Sequence, residues 1–134
     1  MPLDLKYAVA LKAAKLNAIS TFAGASAKLR IYSGTKPATS DTAITGTLLV
    51  ELICNATAFA ATTSTATLTA NAIANGTAVA TGVASHYRIF KADGTSAAID
   101  GTVGTTASDL IIDNTSINSG QVVSVSSSTF TEAN

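Results

Sequence analysis

Polar and apolar residues alternate with a period of two along much of this chain, most clearly in VASHYRIFKADGTSAAIDGTVG, residues 83–104. Val83, Tyr87 and Ile89 fall on one face of an extended strand, with His86 and Arg88 on the other. Beyond Asp93-Gly94, Ile99 and Val103 share a face, opposite Asp100 and Thr102. That pattern predicts a sheet with one dry side and one wet side. Asp-Gly between two such runs is a hairpin signal, because glycine supplies the positive φ that a tight reversal needs. The remaining strands are expected to pack around this hairpin.

Near the N-terminus the period changes. Leu5, Val9, Ala13, Leu16, Ile19 and Ala23 recur at three- and four-residue spacing, which predicts a helix over residues 5–22. Asp4 is placed to cap it and Gly24 to stop it. Such a helix is expected to cover one end of a sheet or a neighbouring subunit, with a basic amphipathic helix lying on a membrane as the lesser alternative. Strand patterns resume at KLRIY, residues 28–32, where Leu29 and Ile31 oppose Lys28, Arg30 and Tyr32. Ser33-Gly34 breaks that strand, and a polar loop beginning at Lys36-Pro37 runs to Gly46. In TLLVELI, residues 47–53, Leu48, Val50 and Leu52 should line one face.

Residues 55–63 read as irregular, anchored by Phe59, and residues 65–70 alternate threonine with small apolar residues. A threonine array could suit ice or sugar, but β-branched threonine is also an ordinary outward strand residue. Asn75-Gly76 reads as a turn, DLIID (residues 109–113) as a short strand, and Asn118-Ser119-Gly120 as another turn. Residues 121–130 would form the last strand, with Val123 and Val125 inward. Seven or eight short strands with frequent turns predict a mainly β fold, an antiparallel β-sandwich or barrel with a short N-terminal helix. The chain divides into a helical arm, residues 1–24, and a β-sandwich domain, residues 25–134.

Composition changes the picture in one direction. The 134 residues carry no Trp, 5% aromatics and 12% charged residues, with eight basic and eight acidic side chains. A core of small side chains buries little area per residue, and a weakly charged surface offers little protection against association. Both features suit a protein that shares its stability with neighbours. No basic stripe exists to follow a phosphate backbone, so nucleic acid is not expected as a partner. Lys6, Lys12 and Lys15 interrupt what would be the apolar stretch of a secretion signal. Without an 18-residue apolar run, membrane spanning is not expected either.

Candidate chemistry is thin. His86 and Cys54 are each the sole residue of their type, and a nucleophile–base pair needs a third group to orient the base. They read as a strand-surface imidazole and a buried small hydrophobe. Asp93, Asp100, Asp109 and Asp113 match no calcium-loop spacing; Asp93 belongs to its turn, while Asp109 and Asp113 bracket a strand. The triplets at Asn55, Asn75 and Asn114 match the glycosylation acceptor pattern, which lacks meaning without export. No catalytic residue, metal ligand or cofactor is assigned, and an enzyme is the last of the expected classes.

Three blocks carry a resemblance. They are AKLRIYSGTKPATSDTAITGTLLVEL (residues 27–52), ATGVASHYRIFKADGTSAAIDGTVGTTASDLIIDNTSI (residues 80–117) and the ending SGQVVSVSSSTFTEAN. Preceded by an Ala- and Lys-rich helix, this order resembles small virion structural proteins of tailed bacteriophages, in particular capsid decoration, or cement, proteins. The match spans nearly the whole chain through turn and strand signatures; residues 78–83 lack the bulky aromatic expected there. The resemblance implies a jelly-roll-like fold and a place on the outer capsid surface after synthesis in the host cytoplasm. It also implies two partners, the major capsid protein and further copies of this chain as a homo-oligomer. Lys6, Lys12 and Lys15 are the expected capsid-contact residues. A tail or fibre component, or a subunit of another self-assembled particle, is the alternative. A glycan-binding module using residues 36–46 ranks below both.

Overall fold

The computed structural model describes residues 6–55, 67–69 and 71–131. Among the described residues the helix, α1, is Val9–Ala23. The strands are β1 (Lys28–Tyr32), β2 (Leu48–Ile53), β3 (Thr67–Thr69), β4 (Gly76–Thr77), β5 (Gly82–Val83) and β6 (His86–Phe90). They continue with β7 (Ala97–Gly104), β8 (Leu110–Ile112), β9 (Ser116–Ile117), β10 (Val122–Val123) and β11 (Val125–Thr131). The fold is mainly β: a curled seven-stranded sheet in the order β2-β1-β6-β7-β8-β11-β3, shaped like half a barrel. The sheet is mixed rather than wholly antiparallel, because β7 and β8 pair in parallel through Val103–Leu110 and Gly104–Ile111.

Four neighbouring strands, β2, β1, β6 and β7, set the two faces. Leu29 of β1 stands opposite Leu52 and Ile89, and Ile31 stands opposite Val50 and Tyr87. Ile99 follows beside Ile89, and Gly101 beside Tyr87. The tyrosine ring needs that glycine, since a Cβ at position 101 would lie 2.5 Å from ring carbon Cε1. These residues, with Leu110 and Ile112 of β8, make the sheet's side of one core; α1 adds Leu16 and Ala23. The expected inward set in β2 was Leu48, Val50 and Leu52. Leu49, Val50 and Leu52 are buried instead, and Leu48 only half so. Ile31 faces Val50 while Tyr32 faces Leu48, so Leu49 is the extra residue of a β-bulge and escapes the alternation.

The outer edge of β2 is not left open. Ala74 donates its N–H to the Ile53 carbonyl and Val79 donates to that of Leu49. Residues 76–84 then run antiparallel to residues 115–123, through β4–β10 and β5–β9 and the bonds from Ala84 to Thr115 and from Ala78 to Gln121. This ribbon sends Ala78, Ala84, Ile117 and Val123 into the core. It also corrects the turn expected at Asn75-Gly76. Gly76 lies in β4, where a Cβ would come within 2.5 Å of the Glu51 carbonyl oxygen. Glycine is required there by the close approach of the ribbon to β2, not by a reversal.

Three further expectations shift. The helix begins at Val9, four residues later than expected, with Ala8 at its N-cap and no capping side chain; Asp4 lies outside the described residues. Gly24 ends it with φ 74°, its N–H on the Ser20 carbonyl. Val83 is exposed rather than aligned with Tyr87 and Ile89, because the break at Ala84–Ser85 separates β5 from β6. The last strand is interrupted at Ser124, dividing β10 from β11, though Val123 is buried and Val125 partly so, as expected. Phe59 and most of residues 55–63 lie outside the described residues, and of the threonine run only Thr67–Thr69 is described, as β3.

Candidate functional site

The hairpin of β6 and β7 turns where expected. Gly94 has φ 74° and donates its N–H to Lys91, while the Asp93 carboxylate accepts from the Thr95 and Ser96 amides and the Ser96 hydroxyl. Those bonds, led by the Ser96 hydroxyl, hold the carboxyl well below the usual carboxylate range. Asp93 is thus absorbed by its turn.

On the face away from the core, the strand register assembles a row of four charged residues. Glu51 of β2 stands opposite Arg30 of β1, Arg30 opposite Arg88 of β6, and Arg88 opposite Asp100 of β7. Two arginines face each other in the middle, and each turns outward to a carboxylate. Arg30 Nε meets Glu51 Oε2 at 2.7 Å. Arg88 grips Asp100 through two bonds, Nε to Oδ1 at 2.6 Å and Nη2 to Oδ2 at 2.8 Å. The bonds to Asp100 raise the Arg88 pKa above its ordinary value. Alternation alone places these residues on polar faces. Their row was missed because register between distant strands leaves no local signal.

That face was expected to be wet, and around His86 and Arg88 it is not. All five residues of β6 are buried, including His86 and Arg88. The cover is the polar loop, residues 33–47. Arg88 Nη2 donates to the Thr39 carbonyl at 3.2 Å, the Ser85 hydroxyl donates to the Gly34 carbonyl at 2.6 Å, and Ser33 N–H bonds Thr47. Pro37 is buried, and Gly46 closes over the His86 ring, where a Cβ would approach Cε1 at 3.6 Å. A strand-surface imidazole thereby becomes an interior one.

The hydrogen bonds assign its protons. Ser85 has one hydroxyl hydrogen, committed to Gly34 by the short contact, so His86 Nδ1 donates to Ser85 Oγ at 2.8 Å. Nε2 then carries the lone pair, buried and without a hydrogen-bond partner. The Tyr32 ring stacks on the imidazole with centroids 5.5 Å apart. Burial pushes the His86 pKa below 6.5, opposed by the Asp100 charge and reinforced by Lys36 and Arg88.

The structure does not bring Cys54 to His86. Cys54 bonds Ala27 beyond one end of β1, while His86 pairs with Tyr32 at the other, a separation of about 16 Å along an extended strand. Burial pushes the thiol up to about 11, so it stays protonated near neutrality. Asp109 accepts from the Thr102 amide and hydroxyl, and Asp113 from the Ser126 hydroxyl, tying strand ends together. Lys6 is exposed ahead of α1, Lys12 is half-buried, and Lys15 sits 4.1 Å from the centre of the Tyr7 ring. Lys15 also borders a shallow apolar groove with Ile19, Phe22 and Ala98. Among the described residues, no three His, Cys, Asp or Glu side chains gather to hold a metal ion, and no helix is long and apolar enough to cross a membrane. No protein family, curated protein or solved structure matches this chain.

Proposed function

We propose that this protein is a structural component of a tailed-phage virion, a decoration protein that binds the outer capsid shell and stabilises contacts between capsomers. In this reading it is not an enzyme and uses no cofactor, nucleic acid or membrane. Its partners are the major capsid protein and other copies of itself. The curled sheet and its crossing ribbon would be the two layers of a jelly-roll-like sandwich. The observation that carries the reading is where the chain directs its polar and apolar groups. The row of charges on the sheet is paired within the chain, whereas Val79, Val83 and Val122 of the ribbon stand 66%, 62% and 60% exposed. Side chains that could do chemistry serve the fold, and apolar side chains are left for neighbours. The resemblance of the three sequence blocks to phage decoration proteins supplies the kind of neighbour.

The test is to mix purified protein with capsids that lack it, count bound copies and heat the particles. Hundreds of copies and a higher rupture temperature are expected. Replacing Lys6, Lys12 and Lys15 together by alanine should reduce the bound copies; substitution is preferable to deleting α1, whose Ala13, Leu16 and Ala23 are buried. Capsids that neither bind the protein nor gain resistance would end the decoration reading, and a few copies at one vertex would favour a tail component.

A further inference from the structure

The covered end of the polar face contains a base with nowhere to put a second proton. Around His86 stand Tyr32 from β1, Arg88 from β6, Asp100 from β7 and Lys36 from the loop, with Asp41 of the loop acting on Arg88. Both Asp100 oxygens are occupied by Arg88. An imidazolium here would present an N–H at Nε2 with no acceptor, beside two cations and one carboxylate already in use. Burying such a charge unpaired is costly, so the ring must either stay neutral or reach water. The strand side is closed by the β1–β6–β7 ladders. The other side is closed by residues 33–47, held over the ring by the bonds that the Thr39 carbonyl accepts from Arg88 and the Gly34 carbonyl from Ser85. The loop is therefore the part that yields.

The geometry points to residues 33–47 as an acid-released flap: protonation of His86 at Nε2 lifts the loop off the sheet while the strands remain paired. This goes beyond the role in a virion and does not rest on it. The sign follows from the burial of a neutral base. With the loop closed, His86 has a pKa below 6.5; with the loop open, it returns toward that ordinary value. The open form binds protons more tightly, so opening grows as pH falls below 6.5 and levels off once the closed form is also protonated. Each unit of difference multiplies the opening equilibrium about tenfold. Release exposes the Arg88–Asp100 pair and the underside of the loop, a change of surface that a neighbouring subunit could sense.

Amide hydrogen exchange on the intact protein at about pH 7.5 and about pH 5, corrected for intrinsic exchange, tests this. The expected result is a loss of protection across residues 33–47, with β1, β6 and β7 unchanged. His86→Gln, which cannot titrate, should remove the pH dependence. Should that variant not fold, the His86 ring resonances of the native protein provide the check, and their titration midpoint should coincide with the onset of loop exchange. Equal loop protection at both pH values would overturn the proposal. So would an unchanged pH response in His86→Gln, a His86 titration that leaves the loop closed, or a loss of protection that spreads through the whole sheet.

Discussion

Arg30–Glu51 and Arg88–Asp100 lie side by side in one row, both spanning adjacent antiparallel strands, with ion contacts of 2.7 and 2.6 Å. Their surroundings differ. The side chains of Arg30 and Glu51 are 23% and 33% exposed; those of Arg88 and Asp100 are 5% and 3%. The cause is not in the pairs but in the loop, residues 33–47, which reaches over one half of the row and stops short of the other. Exposed ion pairs contribute little because water and salt compete with them. A buried pair is held together by the cost of leaving either partner alone. Arg88 also holds Asp100 by two bonds where Arg30 holds Glu51 by one, so the two pairs should differ several-fold in what their loss does, and the covered half should control where the loop sits.

Asp100→Ala is the largest break available in this comparison. It leaves the Arg88 guanidinium buried with the Thr39 carbonyl as its remaining hydrogen-bond partner, and should cost about 3–5 kcal/mol in a denaturant titration. Replacing both partners, Arg88→Met with Asp100→Leu, removes the stranded charge and should lose less than Asp100→Ala alone. If the single variant lost less than about 1 kcal/mol, the covered half would be behaving as an exposed pair, and the loop would not exclude water from it.

How much of this could be read from the chain follows from the range of each signal. Strands β1, β2, β6, β7 and β8 were legible because side-chain alternation and turn residues are local. The positive φ of Gly94 was legible for the same reason, since Asp-Gly between alternating runs has few other uses. The bulge at Leu49 was not legible, because an extra residue leaves the composition of the strand unchanged. Gly76 was read as a turn because its true reason, the Glu51 carbonyl pressing against it, lies 25 positions away in sequence. The parallel β7–β8 pairing and the burial of His86 were hidden likewise: both depend on where a loop travels after leaving its strand. At the candidate site, the chain disclosed which residues are polar but not which of them would be paired or covered.

Gly94 tests the open half at its outer end. Its carbonyl accepts from Arg30 Nη1 at 3.1 Å, and a Cβ there would lie 2.9 Å from Arg30 Nη2. Gly94→Ala places a side chain in a left-handed conformation and pushes on Arg30, so it should cost about 1–2 kcal/mol. Gly94→Asn should cost less, since asparagine tolerates that conformation better than alanine does. The melting temperatures of the two variants decide it. Equal losses would mean that the push on Arg30, not the backbone, sets the cost.

Glu51→Gln is the smallest break and the sharpest control for the whole comparison. Without its carboxylate partner, Arg30 still donates to the Gly94 carbonyl, still lies 4.8 Å from the centre of the Phe90 ring, and keeps access to water. No charge is stranded, so the loss should fall between about 0 and 1 kcal/mol. Whatever remains is Coulombic at an exposed site and should shrink as salt rises toward about 1 M, where screening acts over roughly 3 Å. Asp100→Ala, acting under the loop, should be far less sensitive to salt. Denaturant midpoints of both variants at low and high salt give the result as a difference of differences. A salt-insensitive loss in Glu51→Gln comparable to that of Asp100→Ala would show that the row behaves as one network and that cover by the loop is not what separates its halves.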